Sequence, residues 1–239
     1  TSLLIVVAVV STTQIYSQSN AQSNTSADSG YSEGLLNTKR IFSRGLAEAI
    51  GEPFRGVATS GGVVSDLFPL KSTGASTASI VSAASTFLGA LSGAELSRTQ
   101  YAVDDPEWQN WSNVDVGIFS RHGVSLEEMS EQQKMAAWDL LRASLSAEGV
   151  VQTQDIMKTE QSLLELNGEP IRYGEEKYYF TVMGIPSTTE PWGWQLDGHH
   201  LIINFFVLGD QVVMTPAFWG GEPVISEQGM YAGNRIMQD

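Results

Sequence analysis

The chain has 239 residues, with 13 basic against 27 acidic side chains and a formal net charge of −14. Such a surface repels phosphate backbones and anionic lipid, which argues against nucleic acid and membrane surfaces as partners. Cysteine is absent, which excludes thiol chemistry, iron–sulfur clusters and zinc–thiolate sites, while a hydrophobic fraction of 42% permits a sizeable core.

At the N-terminus, Leu3-Leu4-Ile5-Val6-Val7-Ala8-Val9-Val10 is an apolar run far short of the roughly 20 residues that cross a bilayer. It has the length of a signal-peptide core, and Ser19-Asn20-Ala21 supplies a small-x-small cleavage pattern. Residues 1–21 therefore read as part of a signal peptide, and the protein is expected to be secreted or periplasmic. Residues 22–34, rich in Ser, Asn and Gly, read as a disordered linker. Residues 35–239 are expected to form a single α+β domain.

Leu35, Leu36, Ile41, Phe42, Leu46 and Ile50 make a rough apolar stripe, which predicts a helix from Gly34 to Gly51. Gly56 to Thr77 reads as a partly buried loop. Ser79 to Arg98 carries Ile80, Ala84, Phe87, Leu88 and Leu91 and predicts one amphipathic helix. The next helix is expected over Ser125 to Ala147, started by a Ser125/Glu128 capping box and stopped by Gly149. A third is expected from Gln152 to Leu166, ended by Asn167-Gly168.

Beyond Gly174 the period becomes that of strands. Lys177 to Met183, Leu201 to Leu208 and Gln211 to Thr215 are rich in β-branched and aromatic residues, and Gly209-Asp210 supplies a hairpin turn. The layout predicts an α+β fold, with a helical N-terminal half packed on an antiparallel sheet formed by the C-terminal half. Tyr231 to Asp239 has the look of the first turns of a further helix without a stop, so the domain is expected to continue past Asp239.

The functional centre is expected within residues 185–223, around Trp192-Gly193-Trp194-Gln195-Leu196-Asp197-Gly198-His199-His200. Two of the chain's three histidines adjoin there, in its most aromatic and glycine-rich stretch. With Gly209-Asp210 as the turn, Phe206 should pair with Val213 and Asn204 with Thr215. Alternation then puts His200 on a mixed face with Asn204 and Thr215, and His199 at the end of the apolar face of Leu201, Ile203, Phe205 and Val207. This favours His200 as the working imidazole. Asp197 shares a face with His199 in extended geometry, and a carboxylate there raises an imidazole pKa and fixes its tautomer. Trp192, Trp194 and Trp219 offer flat faces for a small-molecule or glycan ligand, with Gln195, Asn204 and Thr215 as polar contacts. His122 matters only if the fold carries it to His199 and His200, where the three would suffice for a divalent metal such as zinc. Adjacent strand residues point apart, so the doublet by itself is not a simple chelate. No HExxH spacing, phosphate loop or nucleophile elbow is present.

The segments Gly184-Ile185-Pro186-Ser187, Pro191 to Gln195, Asp197 to Leu201, Asn204, Thr215-Pro216-Ala217-Phe218 and Pro223 together resemble the domain of unknown function 3500 family. The similarity extends back through Phe87-Leu88, Trp111, Gly123 and Leu145-Ser146, covering roughly residues 55 to 239. The family is uncharacterised, so the resemblance supports the location of the site and implies no activity. It also implies that members continue beyond Asp239.

Three functional readings follow from these residues. One is an exported metal-assisted hydrolase, with catalytic His200, Asp197 and His199 polarising water. Another is a non-catalytic binding module with the tryptophans as platform. A third is a buried structural network of the Gly198-His199-His200 segment.

Overall fold

The computed structural model describes residues 30–52, 58–59, 62–65 and 71–236. The segment expected to be a signal peptide, residues 22–29 of the expected linker and residues 237–239 lie outside that set. Helix α1 (Glu33–Ile50) starts where Ser32 Oγ accepts from the Leu35 amide, so the end of the expected linker is already helical. Two short strands, β1 (Ala58–Thr59) and β2 (Gly62–Val63), pair antiparallel. Residues 71–77 form no helix or strand and hold the turn before β8 through Asp210, which accepts from Ser72 Oγ and the Gly74 amide.

The single helix expected over Ser79–Arg98 is two, α2 (Ala78–Ala90) and α3 (Gly93–Thr99). Ser92 and Glu95 form a capping box that starts a new helix and leaves Leu91 extended. A similar competition moves the next helix. Ser125 and Glu128 do bond reciprocally, but they only close a turn after strand β4 (Val124–Ser125). A second box, Ser130 with Gln133, starts α4 (Glu131–Ser144). Helix α5 (Ala147–Asn167) begins at its Ser146 cap, so Gly149 lies in its first turn and stops nothing, while Gly168 ends it in the left-handed region as expected. The C-terminal stretch through Ile236 forms turns and an isolated bridge to Ile225, without the expected further helix.

The fold is α+β, but its sheet is mixed. Strand β3 (Gln100–Tyr101) runs parallel to β5 (Tyr178–Met183), and β4 pairs antiparallel with β5, so the N-terminal half contributes to the sheet. The order continues antiparallel through β6 (Trp192–Gly198), β7 (Leu201–Leu208) and β8 (Gln211–Val213), with β9 (Ala217–Trp219) also on β7. The expected Phe206–Val213 pairing is present. The Asn204–Thr215 pairing is not, because β8 ends at Val213 and β9 takes the rest of that edge.

The central strand β6 lies in the stretch expected from sequence to form the functional centre, and every residue of it is buried. One face presents Trp192, Trp194 and Leu196, with Phe180 of β5 and Leu201, Ile203 and Phe205 of β7. These join one core with Phe87 of α2, Leu140 and Leu141 of α4 and Ile156 of α5. The opposite face is covered by the irregular segment 102–123, which includes a 3-10 turn at Pro106–Gln109. Gly193 permits that cover. A Cβ there would fall 2.3 Å from the Phe205 carbonyl oxygen and 2.6 Å from the Trp108 ring. Gly193→Ala is accordingly expected to lower stability by about 1–3 kcal/mol, the usual cost of overpacking a closed interior, read as a shift in the urea unfolding midpoint.

Candidate functional site

Gly198 pairs with Leu201, so His199 and His200 are the two-residue turn joining β6 to β7 rather than strand positions. His200 is the one non-glycine residue with positive φ among those described, at 59°. The left-handed region costs an L-residue about 1–2 kcal/mol, and three backbone contacts hold it. The His200 amide donates to the Asn113 carbonyl at 3.2 Å and the Gly220 amide donates to the His200 carbonyl at 2.8 Å. The Tyr178 hydroxyl donates to the His199 carbonyl at 3.1 Å.

The turn overturns the expectation that the two rings point apart. Strand alternation ends at Gly198, and the imidazoles stack with centroids 3.7 Å apart and planes inclined 27°. His199 Nδ1 lies 2.9 and 3.0 Å from the two carboxylate oxygens of Glu160 on α5. Ligand atoms of Glu160, His199 and His200 all fall within 4.8 Å of one another. Glu160 is almost wholly buried, and burial pushes its carboxyl up against the opposing pull of His199. Burial, reinforced by His199, pushes the His200 imidazole down to about 4, so it is neutral at neutral pH. Its Nδ1 is buried without a hydrogen-bond partner. Tyr173 packs at 5.9 Å from the His199 ring, and Arg172 beside it forms a two-point ion pair with buried Asp115.

Glu160 was missed from sequence, although a signal existed. It falls in the apolar stripe of Ile156, Met157 and Leu163 at helical spacing, where an acidic residue has no solvent to face.

Asp197 is not the partner of the histidines. Alternation along β6 turns its carboxylate to the opposite face, 3.1 Å from Arg121 Nε and within reach of the Ser112 amide. Burial pushes Asp197 up to about 6 against the pull of Arg121, which leaves it ionised at neutral pH. The Arg121 side chain is fully buried, and its Nη2 donates to the Ser112 and Val114 carbonyls.

The expected aromatic platform is also corrected. Trp192 and Trp194 are 0% exposed, because their strand positions face the helices. Trp219 is half-buried against the same core. Gln195 and Asn204 bond to each other inside the second face, with Asn204 also donating to the Pro216 carbonyl, while Thr215 is exposed past the end of β8. His122 does not join the other histidines. Its Nδ1 lies 2.9 Å from buried Glu107, next to Asn110, in the cover segment.

A family model described as protein of unknown function (DUF3500) matches residues 73–239, and the chain belongs to that family. No curated protein and no solved structure matches it. No helix among the described residues is long and apolar enough to cross a membrane.

Two outcomes test the electrostatic arrangement. Arg121→Met leaves the Asp197 charge unpaired in the interior and is expected to cost about 3–5 kcal/mol in urea unfolding, with most of that recovered in Arg121→Met/Asp197→Leu. At His122, burial opposes the charged form, but the hydrogen bond and charge of Glu107 outweigh it and raise the pKa above the ordinary 6.5. The stabilisation from that pair is full below about 6.5 and fades as pH rises through the raised value. An NMR titration should place His122 above its ordinary value in the native protein and lower it in Glu107→Gln.

Proposed function

We propose that this family member is an exported, metal-dependent hydrolase whose divalent ion is held by Glu160, His199 and His200. The observation that carries the reading is the convergence of these three donors within 4.8 Å at a strained turn. Two imidazole nitrogens and one carboxylate oxygen suit zinc, manganese or iron, and three protein ligands leave positions for water and substrate. The carboxylate partner is Glu160 from α5, replacing the Asp197 expected from sequence.

The donor set fits an ion on physical grounds. An imidazole binds metal in the plane of its ring, so the stacked pair shares an ion only after His200 turns. Its Nδ1 makes no hydrogen bond that such a turn would break. Neutral His200 has a lone pair to offer at neutral pH. Between His199 Nδ1 and Glu160, a bound cation would displace the proton, so affinity falls as acid restores it. A divalent ion in such a set polarises a carbonyl or phosphoryl oxygen and acidifies bound water. The chain's own part is to hold the ligands through the Asn113, Gly220 and Tyr178 contacts. Export is supported by the Leu3–Val10 run and Ser19-Asn20-Ala21, read as a signal sequence.

Calorimetry on chelator-stripped protein with zinc or manganese is expected to show one ion per chain, and His199→Ala and His200→Ala should each weaken it by more than about tenfold. Hydrolysis in a panel of chromogenic esters, amides and phosphoesters should be lost with chelator and restored by metal. Absence of stoichiometric binding, or turnover indifferent to chelator, overturns the proposal.

A further inference from the structure

After β9, Gly220-Gly221-Glu222 passes beside the histidine turn. Gly221 packs closely there. A Cβ there would fall 1.8 Å from Ile236 Cδ1 and 3.3 Å from Thr159 Oγ1, the residue next to Glu160 on α5. A side chain at 221 would collide first with the Ile236 side chain, with Thr159 of α5 in tight contact behind it. Gly220 is tied to the turn itself, through its amide on the His200 carbonyl. The following side chain, Glu222, reaches to 4.0 Å from His200 Nε2 while its side chain remains 68% exposed. The loop therefore brings a carboxylate to the Nε2 side of His200, the ring whose other nitrogen, Nδ1, is buried without a hydrogen-bond partner.

From this juxtaposition we infer that Glu222 is the fourth ligand of the metal site, closing it from the solvent side. The inference rests on the metal-binding reading above. An exposed carboxylate on a freely rotating stem moves the last distance, to a bond length of about 2.0–2.2 Å, without disturbing the core. Two imidazoles and two carboxylates form a site in which oxygen donors match nitrogen donors. Such a set favours a six-coordinate ion of the manganese class with two positions left for water or substrate, whereas tetrahedral zinc is satisfied by the three inner ligands and one water. Glu222 thus acts on metal choice as well as on affinity.

The test uses metal alone. Glu222→Gln is at an exposed position, so the metal-free variant should melt with the parent protein. It is expected to bind manganese at least tenfold more weakly, with a smaller loss for zinc. Water-proton relaxivity per bound manganese should rise, because a water takes the place vacated by the carboxylate. Equal manganese affinity with unchanged relaxivity overturns the role of Glu222 while leaving the three-ligand site standing. A parent protein that binds neither ion overturns the metal reading itself, and this inference with it.

Discussion

The pairing of Asp197 with Arg121 is the interaction on which the rest of the site depends. An ionised carboxylate in the middle strand of a sheet covered on both sides has no water to solvate it, and such a charge persists in an interior only when it is compensated. Arg121 supplies the compensation through its charge and, with Nη2, grips the Ser112 and Val114 carbonyls. Asn113 lies between those two anchors, and its own carbonyl accepts from the His200 amide. Charge neutralisation on one face of the sheet thereby fixes the backbone of the turn that presents the histidines at its end.

The turn is where the fold holds strain. His200 sits in a conformation that glycine or asparagine adopts more readily, and its ring is stacked on its neighbour with one buried nitrogen unbonded. Left-handed residues and orphaned polar atoms are each costly, and they concentrate where a ligand or a reaction repays the cost. Their coincidence at one residue, beside a buried glutamate, distinguishes this turn from His122. That histidine has a carboxylate partner in the cover segment and no second imidazole beside it.

Much of the fold was legible in the residues. Periodicity located the helices, β5, β7 and the Gly209-Asp210 turn, because burial of an apolar face imposes a period of its own. The errors came from local competition. Ser92-x-x-Glu95 and Ser130-x-x-Gln133 are capping boxes as good as Ser125-x-x-Glu128, and only tertiary packing selects which of them begins a long helix. Trp192 to Gly198 alternates large apolar residues with Gly, Gln and Asp, a strand pattern in plain view. Its glycines and tryptophans point as well to a ligand platform, because small residues that admit a covering segment resemble small residues that admit a ligand.

By itself the sequence determined the family resemblance, the α+β class, and the stretch that holds the His199-His200 turn. Those rest on composition, spacing and the side-chain period, which are local properties. Tertiary structure decided which residues meet at that turn. Register converted His199 and His200 from diverging strand positions into a stacked pair, and alternation sent Asp197 to the opposite face. Helix packing brought Glu160 across 39 residues of chain to His199. A partner at that separation leaves no mark in spacing, because only the closing of the core against α5 sets the distance between them.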